Sequence, residues 1–433
     1  MASEADWNPS LWLSAGGSVP SDWDLIPFGD LLQSPKSIAV GVMYPGSQID
    51  GGVPLIRVGD VGSGGVVRQP SMAISPDVHY EYRRTALSGN ELLITLVGTP
   101  GVCVLARPEM AGWNVARALA VAKLKQPDLR PFIKAVLESS VMRNIILGML
   151  NTTVQPTLNL KEIKILPVPM PHDLTVALEL GRVAELFNER IASLQQTNTT
   201  LEAIAQALFK SWFVDFNPVR AKAEGREPEG MDGETAALFP AEFADAEVGS
   251  IPKGWRAGQL SDVLELKYGK SLRAADRKDG EVPVYGSGGV TGFHDKPLIE
   301  GPAVIVGRKG TVGSIYWEPL PCFPIDTVFY VEPKQSLHFA YFALRQAGLD
   351  GLNTDAAVPG LNRNNAYRQP VVIPPPEVLW AWGNLAAALR ARMDTSQAHV
   401  VTLRQLRDTL LPRLISGKLR LPDAEREIEA ATV

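Results

Sequence analysis

Residues 177–212 carry a heptad seam, and that seam limits what this 433-residue chain can become. The core positions are Ala177, Leu180, Ala184, Phe187, Ile191, Leu194, Asn198, Leu201, Ala205, Leu208 and Trp212, of which ten of eleven are apolar. Steps of three and four alternate without a slip. That is the narrow seam of a coiled coil, not the broad stripe of a helix lying on a globular core. Glu185, Glu189, Arg190, Gln195 and Gln196 fall between and are polar, as solvent-facing positions should be. At about 1.5 Å per residue the helix is roughly 50 Å long and needs a partner.

The chain supplies one. Leu379, Trp382, Ala386, Leu389, Met393, Ser396, Val400, Leu403, Arg407, Leu410 and Leu414 form a second seam, each 202 residues after its counterpart. Nine of these eleven are apolar. A fixed offset points to an internal repeat. Two amphipathic helices can be slid into chance register, so the rest of the chain has to decide.

It decides for the repeat. Pro20, Trp23 and Asp30 recur at the same spacing as Pro252, Trp255 and Asp262. Asp50 and Pro54 recur as Asp279 and Pro283; Val97, Gly98 and Gly101 recur as Val306, Gly307 and Gly310. Leu158 and Asn159 recur as Leu361 and Asn362, each pair followed by a proline, Pro171 or Pro374. The offsets fall steadily from 232 through 229, 209 and 203 to 202. A duplicated unit with unequal loops gives that trend.

Within each copy the pattern is of short strands separated by turns. Residues 53–58, 91–97 and 102–105 read as strands in copy one, and 282–285, 303–306, 314–317 and 327–331 in copy two. A helix is predicted over 131–150, with its counterpart over 337–347. The closing segments 163–171 and 371–376 are aliphatic and rich in proline, which cannot donate to a ladder, so they are predicted to be edge strands or extended connectors.

Composition sets the outer bounds. The apolar fraction of 45% and charged fraction of 21% are ordinary for a soluble protein with real cores. No apolar run reaches the 18 or so residues of a membrane helix, and residues 1–6 lack the basic and apolar regions of a signal peptide. Cys103 and Cys322, the two cysteines, sit among apolar neighbours and read as reduced core residues of a cytoplasmic protein. The net charge of -5 argues against a free-standing nucleic-acid binder. Any such role must rest on a local surface or on a basic partner.

Catalytic motifs do not assemble. Gly269, Lys270 and Ser271 resemble a phosphate loop, but Leu264 stands where its first glycine belongs. Asn217, Pro218 and Val219 lack the third and fourth residues of an amino-methyltransferase loop. Asp128, Glu162 and Lys164 can be threaded onto a metal-dependent nuclease motif only loosely, and exposed charge is the plainer account. The five histidines show no ligand spacing. Neither catalytic nor metal-binding residues are assigned.

The glycine-rich loops are better candidates. Residues 285–292, with Ser287 and Thr291, and residues 307–313, with Arg308 and Lys309, offer backbone N–H groups beside hydroxyls and cations. Glycine serves tight turns equally well. Lys270, Arg273, Arg277 and Lys278 cluster near Ser271; in copy one Arg57, Arg68, Arg83 and Arg84 do so more loosely. Asp276 and Asp279 offset part of the first cluster, as on a solvated face.

Two β-rich units of unlike sequence, each followed by a long coiled-coil helix, resemble the specificity subunit of type I restriction–modification enzymes over residues 21–421. The resemblance rests on Trp255 with Asp262, the 282–289 run, the Gly-Arg-Lys-Gly-Thr-Val-Gly loop at 307–313, Pro-Gly-Leu-Asn at 359–362, and the helix ends 201–216 and 403–419. Copy one departs: its loop at 98–101 reads Gly-Thr-Pro-Gly, without the two cations. The resemblance implies a non-catalytic chain of the α+β class, with two pseudo-repeated target-recognition domains joined by two long antiparallel coiled-coil helices. Its expected divisions are an arm (1–20), recognition domain one (21–171), a central spacer helix (172–216), a linker with little core (217–250), recognition domain two (251–374), a C-terminal spacer helix (375–421) and a tail (422–433). Each recognition domain is expected to read half of a bipartite duplex DNA target, through the residues named above together with Arg363. The helices would dock methylation subunits. Leu180, Phe187, Ile191, Leu194, Asn198, Leu201 and Leu208 would pair with Leu389, Met393, Val400, Leu403 and Leu410. S-adenosylmethionine, ATP and Mg²⁺ are expected on the methylation and motor/endonuclease partners, not on this chain, and no membrane is involved.

The repeat itself argues for antiparallel helices. Two-fold pairing about a perpendicular axis would place the recognition domains at opposite ends of the rod, as two separated half-sites require. A coiled-coil adaptor that binds only proteins and a self-contained restriction or methylation enzyme are the alternatives; the first predicts no sequence-selective DNA binding, and the missing motifs count against the second.

Overall fold

A computed structural model describes residues 7–62, 69–150, 156–352, 360–423 and 426. The chain divides into two compact units: Met1–Gln195 with His399–Val433, and Gln196–Ala398. Each contains β-rich structure and a stretch of both long helices.

Unit 1 runs α1 (Ser10–Ser14), β1 (Trp23–Pro27), α2 (Phe28–Leu31), β2 (Ile38–Val40), β3 (Val53–Ile56), β4 (Ala73–Ile74), α3 (Pro76–Glu81), β5 (Leu92–Thr95), β6 (Cys103–Leu105), β7 (Asn114–Val115), β8 (Leu119–Ala122), α4 (Arg130–Leu137), α5 (Ser140–Met149), α6 (Leu160–Lys164) and β9 (Pro167–Pro171), and then enters α7 (Leu174–Phe213). A four-stranded sheet has the order β2-β8-β5-β6, a three-stranded one β4-β3-β7, and β1 pairs with β9. The central strands are covered on both faces, and their alternation sorts side chains between two cores. Leu92 and Ile94 of β5 join one cluster with Phe132 and Leu180, while Leu93 joins another with Val104 and Val121. Prolines at 167, 169 and 171 leave β9 short of donors, and it pairs with β1 alone.

Three expectations need correction here. The helix predicted over 131–150 is two helices, because Ser139 leaves the helical conformation and its hydroxyl accepts from the Met142 N–H to start α5. The segment from 163 opens inside a helix, not a strand. Asn159 and Glu162 form a capping box, the Asn159 N–H donating to Glu162 Oε2 at 2.7 Å. Residues 7–20 are not a loose arm: Trp12 is 1% exposed, within the main core of unit 1.

Unit 2 repeats the plan. After α7 come α8 (Asn217–Ala223), α9 (Gly233–Ala237), β10 (Phe243–Ala246), β11 (Gly249–Pro252), β12 (Arg256–Gln259), α10 (Leu260–Val263), β13 (Leu264–Tyr268), β14 (Val282–Gly286), β15 (Gly289–His294), β16 (Ala303–Gly307), β17 (Ile315–Glu318), β18 (Phe323–Pro324), β19 (Val328–Pro333), α11 (Leu337–Gln346), α12 (Arg363–Tyr367), β20 (Pro370–Ile373) and α13 (Pro376–Ile415). The sheet orders β13-β19-β16-β17, β15-β14-β18 and β12-β20 reproduce those of unit 1 strand for strand, with the β10-β11 hairpin added. The parallel pair β3–β7 reappears as β14–β18. Topology thus repeats where sequence has diverged. The 217–250 segment, expected to have little core, contributes buried Val219 and Phe239 to the main cluster of unit 2.

In unit 2 the Asn198 amide donates to the Met393 carbonyl at 3.0 Å, Glu202 pairs with Arg390 at 2.8 Å, and the Phe209 ring meets that of Trp382 at 5.4 Å. Numbers rise along α7 as they fall along α13, so the helices run antiparallel there. In unit 1 Arg407 donates to Asn188 at 2.9 Å, and Leu410 and Leu414 join Ala177, Leu180 and Phe187 in one core. Leu180, Phe187, Ile191, Met393, Val400 and Leu410 are buried; Leu194, Asn198, Leu201, Leu208, Leu389 and Leu403 are half-buried. Off the seam, Leu178, Leu186, Ile204, Trp380 and Val401 stay exposed.

Candidate nucleic-acid interface

The cationic glycine loop of unit 2 lies between β16 and β17. Gly310 and Gly313 take φ values of +86° and +75°, which glycine adopts without strain. The loop closes on itself, the Gly313 N–H donating to Gly307 O at 2.9 Å. It is also tied to the 360–362 segment: Leu361 donates to Arg308 O at 2.8 Å, and Lys309 bridges to Gly360. Two stretches more than 50 residues apart in sequence therefore meet, and Asn362 then caps α12, which begins at Arg363.

This junction brings charge together around one aromatic ring. The guanidinium carbons of Arg308 and Arg363 lie 5.1 and 5.2 Å from the ring centre of Tyr268, the last residue of β13. Arg308 also lies over Phe329 and donates to the Asp326 carbonyl at 2.8 Å. Tyr268 is half exposed, and Lys270 and Lys309 beside this group are exposed. Among the described residues neither lysine has a carboxylate within ion-pair distance. Four cations thus gather here, with Glu265 near Arg363, on a chain whose net charge is -5.

The remaining candidates of unit 2 divide by how their groups are used. Ser271, Arg273 and Lys278 are exposed on the 269–281 segment. Arg277 is fastened to the β14–β15 hairpin, donating to Thr291 O at 2.8 Å, and the Thr291 hydroxyl donates back to Val284 O at 3.2 Å. Ser287 is buried; its hydroxyl donates to Thr327 O at 2.6 Å and accepts the Lys309 N–H at 3.3 Å. Ser287 and Arg277 thus hold the loops in place. Phe293 and Val290, 57% and 49% exposed on the same hairpin, do not stand out in the sequence. Three positions apart on β15, they fall on opposite faces of the strand, so no period-2 pattern picks out both.

In unit 1, Arg57, Arg83 and Arg84 are exposed and each is held by a different partner. Arg57 reaches the Ser71 hydroxyl, Arg83 lies 5.0 Å from the Tyr80 ring centre, and Arg84 donates to Lys36 O at 3.1 Å. Arg68 lies outside the described residues. Glu162 serves the capping box and Lys164 donates to Pro35 O at 2.9 Å, so both have structural roles. The two thiols are buried. Burial holds Cys103 well above the usual thiol range, and burial, with Glu318 nearby, pushes Cys322 up to about 12. No helix among the described residues is long and apolar enough to cross a membrane.

Residues 252–378 match the family model of the type I restriction modification DNA specificity domain. The chain is 25% identical over 297 residues to the type I restriction enzyme HindI specificity subunit of Haemophilus influenzae, covering 54% of this chain and 65% of the relative. It is 28% identical over 233 residues to the EcoBI specificity subunit of Escherichia coli, covering 53% of this chain and 48% of the relative. These matches span about half to two thirds of the relatives' lengths. The fold is similar to that of the crystal structure of the type I restriction–modification system S subunit from M. genitalium, with a TM-score of 0.54 and 18% identity over 90% of this chain and 96% of that one. Residues 252–378 thus carry the likeness to a type I specificity domain, and the repeated β-rich plan with its two long helices is the fold of the S subunit structure.

Proposed function

We propose that the chain reads a bipartite DNA target, one half with each β-rich unit, as the specificity subunit of a type I restriction–modification complex. The observation that carries this reading is the repeat of one strand order in both units, with an exposed cationic loop in the matched specificity domain. One recognition unit used twice suits two separated half-sites. The net charge of -5 fits a protein that grips DNA through a local patch within a larger assembly. The long helices offer exposed apolar residues, such as Leu186 and Trp380, to methylation subunits. Those partners would bind S-adenosylmethionine and flip the target adenine out of the duplex. A motor/endonuclease subunit would use ATP and Mg²⁺, and the complex would act in the cytoplasm.

The test separates recognition from chemistry. Purified alone, the chain should neither methylate nor cut duplex DNA; supplied with its methylation partner and S-adenosylmethionine, it should direct adenine methylation. Methyl transfer by the isolated chain would overturn the reading.

A further inference from the structure

Among the described residues, unit 1 has no equivalent of the ring shared by Arg308 and Arg363. Gly269 follows Tyr268, and a Cβ there would come 2.1 Å from the Ile325 carbonyl oxygen; Gly41 follows Val40, and a Cβ there would come 2.2 Å from the Val115 carbonyl oxygen. These matching close approaches, at the ends of β13 and β2, make Tyr268 and Val40 equivalent positions. The repeats Gly307/Gly98 and Asn362/Asn159 make Thr99 the counterpart of Arg308 and Leu160 that of Arg363. A cation–ring–cation group in one unit is thus replaced by Val40, Thr99 and Leu160 in the other.

From this we propose that Tyr268 is a positioning residue, which holds Arg308 and Arg363 as one unit for duplex phosphates, and that this anchor belongs to unit 2 alone. The inference rests on the DNA-recognition reading. An arginine side chain loses rotamer freedom when it binds, and stacking on an aromatic face takes part of that loss in advance. Two guanidiniums on one ring come from separate segments, the 307–313 loop and α12; the Leu361 N–H to Arg308 O bond already ties those segments together, and the ring orients the two side chains they carry. Glu265 lies near Arg363 but pairs with Lys267 at 2.7 Å, which leaves the guanidinium available.

The experiment measures duplex affinity against salt by fluorescence anisotropy, with the full chain purified together with its accompanying subunits and a duplex of arbitrary sequence as the probe. Tyr268→Ala should weaken binding by about tenfold, in the range set by ordering two long side chains, while Tyr268→Phe, which keeps the ring, should stay within about twofold of wild type. Arg308→Ala and Arg363→Ala should be non-additive with Tyr268 present and additive in the Tyr268→Ala background. Thr99→Ala should leave the salt slope unchanged. Tyr268 is half exposed at a strand end, and continued protection of the buried Cys322 thiol checks that each variant is folded. Wild-type affinity in Tyr268→Ala, or additive arginine effects in both backgrounds, would overturn the proposal. A wild-type complex with no salt-dependent duplex binding would overturn the DNA-recognition reading as well.

Discussion

Arg308 and Lys309 are adjacent but held differently. The backbone N–H groups of both donate to Thr327 O, at 3.0 and 3.1 Å, which fixes the loop. Arg308 then folds back over Tyr268 and Phe329, while Lys309 projects into solvent. Replacing both with alanine should weaken duplex binding and flatten its salt dependence by about one unit of slope for each phosphate left unneutralised. The measurement is a titration at several salt concentrations. Unchanged affinity and slope in a folded double variant would reduce this loop to a turn. The glycine pattern around them makes both residues legible in the sequence. Tyr268 is not, because its significance depends on residues 40 and 95 positions away.

At the scale of elements, the seam and the strands are the legible parts. Apolar positions at steps of three and four are a property of one helix, and all those in α7 and α13 are buried or half-buried. The strands expected from alternation agree with β3, β5, β14, β16 and β19 to within two residues. Helix ends turn on single residues: Ser139 and the Asn159-x-x-Glu162 spacing are cap signals present in the sequence, which a reading by aliphatic content alone passes over. Close packing is not legible either. Gly181 lies within α7, and a Cβ there would sit 2.7 Å from the Phe132 nitrogen of α4. Gly181→Ala should therefore destabilise unit 1 by roughly 1–3 kcal/mol, despite a gain in helix propensity of about 1 kcal/mol. Gly148→Ala in α5, where an added Cβ meets nothing within 4 Å, should stabilise by up to about that propensity gain. Denaturant unfolding of the two variants checks this pair of opposite signs; a stabilised Gly181→Ala would mean that α7 can move away from α4.

For the whole molecule, the 202-residue repeat of the seam predicts that the two helices can stand in for one another. In unit 1, the Leu174–Gln195 stretch of α7 shares a core with residues near 410–415 of α13, whose counterparts at the 202-residue offset lie near 208–213. A fragment ending at Phe216 should therefore recruit a second copy of itself and form a two-fold dimer with an isologous interface. Asn198, whose amide donates to a carbonyl across the seam in unit 2, should help select one register. With its methylation partner such a dimer should direct methylation to a palindrome built from the first half-site. Sedimentation and methylation mapping test this, and a monomeric fragment would show that the helices are not equivalent.

As proposed, this chain sets one two-part DNA target. The most direct measurement is the adenine methylome of the host with and without the gene. Removing the gene should abolish a single motif, two short specified segments separated by a fixed gap, with every other motif retained. An unchanged methylome in a strain whose methylation subunits are active, or the loss of a motif with no gap, would rule out a two-part target set by this chain.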